Sequence, residues 1–210
     1  MRKRFLAPLA AALAVAFAAP VSAEPGGGAA PPKETSKPAP NLAPKVSLIE
    51  RGHNIDFLFG ALKAAPDESS AKAIEQRIWA LWSSTRSDTA ALLMSRVKTA
   101  IEQKDTDLAV KLLDAIVKLK PDYVEAWNRR ATLYYMKKDY GHALADIRHV
   151  LKLEPRHFGA LSGLGLILQD IGDDKQALEV YRRALAVYPR IERVPDIVKT
   201  LTEKVEGRDI

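Results

Sequence analysis

A spacing of 34 residues repeats between Asp105 and Pro189 and constrains the fold of this chain more than any other feature. Each period carries an aspartate, an alanine four residues later, and a proline that follows a run of apolar residues. The residues in register are Asp105, Asp139 and Asp173; Ala109, Ala143 and Ala177; and Pro121, Pro155 and Pro189. Repetition at about 20 to 50 residues is typical of architectures built by stacking one small unit on the next. The sequence therefore predicts a stacked-repeat fold.

Each period has the start and stop signals of two short helices. The aspartate follows a polar turn and can accept a hydrogen bond from an N–H at the start of the second helix. The proline ends that helix, because it lacks an N–H and restricts the residue before it. In the middle period Trp127, Ala131 and Tyr134 share one face of the first helix. The pattern predicts paired helices with small residues where they meet, such as Ala131 with Ala143.

These positions resemble the tetratricopeptide repeat family. The unit at 124–155 carries the residues of the family's signature and departs from it at Arg130, where a leucine is usual: Trp127, Ala131, Tyr134, Ala143 and Pro155. The unit at 158–189 matches through Leu161, Leu164, Gly165, Ala177, Tyr181, Ala184 and Pro189. The unit at 90–121 is a weaker match, with Ala100 in place of a large aromatic residue. The resemblance implies an all-α, right-handed α-solenoid with three units over residues 87–189.

The first 23 residues have the pattern of a signal peptide. Three basic residues precede an apolar run from Phe5 to Ala19, and small residues follow at Val21-Ser22-Ala23. The apolar run is shorter than the roughly 20 residues that a membrane-spanning helix needs, so an uncleaved anchor is the lesser alternative. The chain has no cysteine, which excludes a lipoprotein anchor. We therefore expect export, to the periplasm of a Gram-negative bacterium, and no stable membrane span after cleavage.

The remaining segments flank the repeats. Residues 24–45 are rich in proline and glycine and predict a disordered linker. Residues 46–86 predict a helical hairpin, either a divergent first unit or an N-terminal cap. Its Trp79 and Trp82 fit core packing, with a patch for a partner or a second copy as the alternative. Residues 190–210 predict a C-terminal capping helix with one apolar face.

Charge and motifs argue against several function classes. The net charge of the whole chain is +6, and it falls to +3 without the three basic residues of the signal segment, which does not suggest a nucleic-acid surface. The four histidines lack the spacing of a zinc helix. Gly159, Gly163 and Gly165 lie in a helical pattern rather than a phosphate loop. We therefore expect no cofactor, metal site or catalytic residue; an enzyme with an unrecognised site is the remote alternative.

The resemblance implies that the first helix of each unit lines a concave groove that binds a peptide or a protein. Carried over by position, the groove would be lined by Met94, Lys98, Glu125, Asn128, Arg129, Thr132, Tyr135, Met136, Ser162, Leu166 and Gln169. Some family members clamp a carboxyl terminus with basic and polar side chains. Here Met94, Gly159 and Gly163 stand at such positions, which disfavours that ligand.

Two further expectations concern self-association and Arg130. A structural envelope module that forms a homodimer, through the tryptophans or the terminal helix, is the alternative function. Arg130 is expected to pack its stem and to pair with an acidic residue such as Asp146.

Overall fold

The computed structural model describes residues 48–207, with side chains from Asn54 onward. The described residues form nine α-helices and no strand. The helices are α1 (Leu48–Lys63), α2 (Glu68–Ser83), α3 (Asp88–Glu102), α4 (Thr106–Leu119), α5 (Val124–Met136), α6 (Tyr140–Leu153), α7 (Phe158–Asp170), α8 (Asp174–Val187) and α9 (Val194–Val205). The predicted signal peptide and linker, residues 1–45, lie outside the described residues and stay predictions.

The predicted helix starts are confirmed. The side chains of Asp105, Asp139 and Asp173 accept hydrogen bonds from backbone N–H groups three residues on, at 3.0, 3.2 and 3.0 Å. These bonds begin α4, α6 and α8. Just before each aspartate the backbone is left-handed, with φ of 60° at Lys104, 58° at Lys138 and 85° at Gly172. The same turn therefore joins the two helices of every unit.

The helices form the predicted all-α solenoid. Within the units α3 packs on α4, α5 on α6 and α7 on α8, and between units α4 packs on α5 and α6 on α7. The first helix α5 also packs on the next first helix, α7. We define the concave face as the side lined by the first helices α3, α5 and α7. Buried apolar residues run through the stack as three clusters, which lie around α3–α5, α5–α7 and α7–α9.

A glycine allows one close approach inside the third unit. A Cβ atom on Gly165 would lie 2.5 to 2.8 Å from ring carbons of Tyr181. The ring of Tyr181, one turn after Ala177 in α8, lies directly against this glycine. The Tyr181 hydroxyl donates to Gln169 at 2.8 Å, which fixes the ring against α7.

The prediction for Arg130 is confirmed. Its Nε and Nη2 donate to the two carboxylate oxygens of Asp146 at 2.8 and 2.7 Å, and its Nη1 donates to Asp114 at 2.6 Å. The carboxylate of Asp146 is buried, with 3% of the residue exposed. The guanidinium also lies over the Trp127 ring, 4.8 Å from its centre. A charged residue thus fills a site where the family usually places a leucine, and it ties α5 to α4 and α6.

The N-terminal hairpin, formed by α1 and α2, is not stacked in series. Helix α2 packs against α5, and α1 packs against α8. In a further stacked unit, α2 would pack along α3 as α4 packs along α5, and it does not. The expectation of a divergent first unit or an N-terminal cap stays a prediction, and the hairpin lies across the turns that follow the units. Its contacts reach all three turns, through Tyr123, Arg156 and Arg190.

Helix α9 covers the other end of the stack. Val194 and Leu201 are buried against the third unit, and Ile197, Val198 and Val205 pack beside them. Pro195 lies in the first turn of the helix, where its missing N–H does no harm. In residues 48–207 no helix is long and apolar enough to span a membrane.

Candidate functional site

One half of the concave face is accessible. Lys98, Thr132 and Leu166 occupy the same position in α3, α5 and α7, and Tyr135 and Gln169 follow one turn later. Each of these side chains is partly exposed, and 67% of Met136 is exposed. These six residues were all predicted to line the groove. We call them the open strip: Lys98, Thr132, Tyr135, Met136, Leu166 and Gln169.

Two residues of the predicted groove are not accessible. Glu125 and Asn128 are buried, with 2% and 8% of each residue exposed, so neither is free to meet a partner in this structure. Met94 packs against the core around α3–α5. Ser162 is partly exposed, and its hydroxyl donates to a backbone oxygen of its own helix at 2.9 Å, as that of Thr132 does at 3.0 Å. Because Glu125 and Asn128 are buried, the start of α5 does not form an open groove.

The buried polar residues contact one another. The carboxylate of Glu125 accepts a hydrogen bond from Asn128 Nδ2 at 3.1 Å and pairs with Arg129 Nε at 2.8 Å. His157 Nε2 lies 3.9 Å from the same carboxylate. Burial raises the pKa of Glu125, although Arg129 and Asn128 oppose that shift. We call these four residues the covered cluster: Glu125, Asn128, Arg129 and His157.

His157 joins the hairpin to the covered cluster. Its Nδ1 accepts the N–H of Ala160 at 3.1 Å and so caps α7. Because Nδ1 is the acceptor, Nε2 carries the proton of the neutral ring. Trp82 of α2 stacks on the ring, with 3.9 Å between centres and 14° between planes. Burial lowers the pKa of His157 from 6.5 to about 3, so the ring stays neutral at physiological pH.

The packing role of His157 was not predicted from the sequence. The four histidines were candidates only for metal binding, and their spacing argued against that role. One signal was available: His157 stands immediately before the first apolar residue of a unit, which is the position of a helix N-cap. In the described residues no three His, Cys, Asp or Glu side chains lie close enough to hold a metal ion.

Trp82 is buried and Trp79 is half-buried. Trp82 is 5% exposed, and the ring of Trp79 meets Trp82 and Phe158 edge-on at 5.2 and 5.4 Å. The indole N–H of Trp79 donates to Glu75 at 3.1 Å. The tryptophans therefore attach the hairpin to the stack, as core packing predicts, and the alternatives of a partner patch or a homodimer through them stay predictions.

The open strip combines apolar and hydrogen-bonding groups. Burial and the neighbouring Asp170 raise the pKa of Tyr135 to about 12, so its hydroxyl keeps its proton. Asp170 also accepts from Tyr140 at 3.0 Å, and Lys98 pairs loosely with Glu102 at 3.8 Å. Met136 and Leu166 supply adaptable apolar surface. Such a surface can contact apolar side chains of a partner while Thr132 and Tyr135 bind polar groups.

Comparisons with known proteins agree with this architecture. The sequence model described as the tetratricopeptide repeat matches residues 124–157 and 159–191. A TPR repeat-containing protein of Rhizobium etli is 39% identical over 181 residues, which cover 82% of this chain and 89% of that protein. DnaJ homolog subfamily C member 3 of Gallus gallus is 23% identical over 183 residues, and this chain covers 35% of its length.

Solved structures show the same fold. The first TPR domain of Spaghetti (RPAP3), bound to the HSP90 peptide SRMEEVD, has a TM-score of 0.54 and 18% identity over 58% of this chain and 97% of that one. MamA has a TM-score of 0.53 and 19% identity over 76% of this chain and 81% of that one. Together with the repeated aspartate, alanine and proline positions and the observed helix pairs, these likenesses show that the chain belongs to the tetratricopeptide repeat family.

Proposed function

We propose that this protein is a non-catalytic scaffold that binds a peptide or a protein partner across the open strip. The observation that carries the proposal is the in-register exposure of the strip on three adjacent first helices. Packed helices lie about 8–10 Å apart, so the strip crosses roughly 20 Å. An extended chain rises about 3.3 Å per residue, so the strip suits a segment of about six residues.

The chemistry of the strip favours an internal peptide segment over a carboxyl terminus. A terminal carboxylate needs free cationic or amide donors. Arg129 and Asn128 would be the candidates, but both already bind the carboxylate of Glu125. The HSP90 peptide bound to the Spaghetti domain therefore does not define the ligand class here. Apolar side chains against Met136 and Leu166, with backbone hydrogen bonds to Thr132 and Tyr135, fit the observed groups.

We also propose that the mature protein acts in the periplasm. This proposal depends on the pattern of residues 1–23, since a basic start, an apolar run and small residues at the cleavage site are what signal peptidase requires. Amino-terminal sequencing of protein recovered from the periplasmic fraction tests it. A chain that begins at Glu24 supports the proposal, and a chain that retains residues 2–23 in the cytoplasm contradicts it.

Site-specific crosslinking tests the binding role. A photoreactive residue in place of Tyr135 should capture a defined partner from the cell envelope, and Met136→Glu in the same chain should abolish the capture. A photoreactive residue at the exposed Arg148, on the second helix α6, is the matched control. Equal capture from both positions contradicts a role for the strip. Capture of a second copy would instead support the self-associating module, and light scattering over a concentration series would then show a dimer.

A further inference from the structure

The N-terminal hairpin occupies the half of the concave face that lies next to the open strip. Gly159 stands at the start of α7 on this face, and a Cβ atom there would lie 2.8 Å from the ring of Trp79. Trp82 stacks on His157, and His157 lies beside Glu125. Helix α2 therefore sits where a ligand of the full groove would sit.

The fit between α2 and this surface is incomplete. Trp82 Nε1 and His157 Nε2 are both buried donors with no hydrogen-bond partner. The nearest carboxylate oxygen to His157 Nε2 is 3.9 Å away, on Glu125, which is beyond hydrogen-bond length. A buried donor without an acceptor destabilises the state that buries it. The contact between the hairpin and the stack is thus less stable at its centre, where Trp82 meets His157.

The surface beneath the hairpin is polar and suited to a ligand. Glu125, Asn128 and Arg129 project from the same face of α5 as Thr132 in the open strip. They form a connected set of donors and acceptors. Apolar side chains at buried positions are often as stable as a paired polar set, so these polar groups are not needed for packing alone and remain able to bind a ligand when uncovered.

The hairpin is attached in a way that allows it to separate from the stack. A short polar segment, residues 84–87, joins α2 to α3. One buried apolar cluster joins the hairpin to Phe158 and Tyr188 at the end of the stack. Around it the attachments are individual contacts at the turns: Tyr123 to the Ser83 carbonyl at 2.6 Å, Arg156 to Asp56 at 2.7 Å, and Arg190 to the carbonyls of Ala65 and Pro66 at 3.1 and 2.7 Å. None of them is required to build α3–α8, whose helices pack on one another.

We propose that the α1–α2 hairpin is a displaceable cover over the covered cluster, and that a partner helix with two aromatic side chains three residues apart takes its place. The partner chemistry is inferred from the present occupant, because Trp79 and Trp82 have this spacing and fill the surface between Glu125, His157 and Gly159. Displacement extends the open strip into a continuous groove. The inference rests on the proposed scaffold function, which it deepens.

A peptide competition experiment tests the proposal. The probe is a labelled synthetic peptide of residues 67–84, and the control peptide has alanine in place of Trp79 and Trp82. Trp82→Ala in the chain removes the stack of the hairpin on His157 and leaves the surface of α5 and α7 unchanged, so the hairpin should be released and the probe should bind this variant at least tenfold more tightly than the unaltered protein. Gly163→Ala is the matched control variant, because a Cβ atom at Gly163 makes only an ordinary contact of 3.7 Å with Ile147. It should bind the probe as the unaltered protein does.

Equal binding of the probe by the Trp82→Ala variant and the unaltered protein overturns the proposal, and so does equal binding of the probe and the control peptide. Native-state hydrogen exchange of the unaltered protein gives a second test that does not depend on the variant folding. Amides of α1 and α2 should exchange at least tenfold faster than those of α5–α8. Equal rates would show that the hairpin opens only when the whole stack unfolds, which contradicts the proposal. Capture through Tyr135 would still occur if only this inference failed.

Discussion

The stack α3–α8 and the N-terminal hairpin are both made of antiparallel helix pairs, but different interactions hold them in place. In the stack, each unit repeats the same capping aspartate and the same left-handed turn, and its neighbours in the chain are its neighbours in space. The hairpin packs on residues remote in the chain, as in the hydrogen bond from Arg190 to Ala65 across 125 positions. Local sequence rules thus build the stack, whereas specific side-chain contacts place the hairpin.

This comparison predicts that damage to the stack also releases the hairpin, and that damage to the hairpin leaves the stack folded. The turns that hold the hairpin exist only when the units are stacked. The hairpin shares a buried apolar cluster with Phe158 and Tyr188 of the third unit, but the core clusters around α3–α5 and α5–α7 include no buried residue of α1 or α2. The predictions below test this asymmetry, from the largest expected effect to the smallest.

Loss of the Arg130 side chain should have the largest effect. Arg130→Met leaves the buried carboxylate of Asp146 without its partner, which costs about 3–5 kcal/mol in comparable buried pairs. Urea unfolding should show this loss, and hydrogen exchange should rise in α1–α2 as well as in α3–α8. Arg130→Met combined with Asp146→Leu is the control and should recover most of the stability. An Arg130→Met variant as stable as the unaltered protein would contradict a stabilising role for the pair of Arg130 and Asp146.

Acid should weaken the contact between the hairpin and the stack through His157. The folded-state pKa of about 3 lies below the ordinary value of 6.5, so folding favours the neutral ring. The stabilisation is complete above pH 6.5 and is lost as the pH falls from 6.5 toward 3. At pH 5 the loss is about 2 kcal/mol by linkage. The raised pKa of Glu125 acts in the opposite direction and reduces the net effect.

His157→Gln isolates this contribution, because glutamine keeps a side-chain acceptor for the Ala160 N–H and does not titrate. Urea unfolding at pH 7 and pH 5 should show a smaller acid effect in the variant than in the unaltered protein. Hydrogen exchange should locate the difference in α1–α2. The same pH dependence in both proteins would show that His157 does not sense acid.

Overpacking inside the third unit should have a moderate effect. Gly165→Ala places a methyl group against the Tyr181 ring, and we expect a net loss of about 1–2 kcal/mol, since the gain in helix propensity offsets part of the strain. Gly163→Ala, on the same helix, should be neutral or slightly stabilising. Thermal unfolding of both variants distinguishes the two sites. A stabilised Gly165→Ala variant would mean that Tyr181 has room to move.

Removal of single helix caps should have the smallest effect on stability. It should also give the clearest difference in hydrogen exchange between the hairpin and the stack. Asp105→Ala removes the cap of α4 and should lower the stability of the stack by about 1 kcal/mol. Asp67→Ala removes the corresponding cap of α2, where Asp67 accepts from Ser70 at 2.7 Å, and should raise exchange in α1–α2 alone. Exchange that rises equally across α3–α8 in the Asp67 variant would contradict the asymmetry.

The sequence predicts the stack well because its information is local and repeated. A cap, a small residue and a proline define each helix pair within 34 residues, and the tryptophan and alanine positions mark the faces that pack. The position of the hairpin could not be predicted in this way. The spacing of Trp79 and Trp82 fits packing within the hairpin as well as packing on His157, and only the fold brings them to Gly159.

The candidate site likewise has one part that the sequence predicts and one part that it does not. Tyr135, Met136 and Leu166 could be assigned to the concave face from their register alone, and the structure leaves them accessible. Glu125 and Asn128 have the same register, but the neighbourhood of α2 buries them. Register determines the face to which a side chain points. It does not determine what covers that face, because the cover depends on contacts between distant segments.

The bridging of three successive turns by one hairpin has a mechanical consequence. A helical solenoid resembles a spring whose pitch changes when neighbouring coils tilt relative to one another. Here Tyr123, Arg156 and Arg190, one from each turn, are fastened to the same rigid pair of helices. Any stretching or twisting of the stack must first break these contacts. The attached hairpin therefore makes the stack stiffer along one edge, and its detachment would make the stack easier to deform.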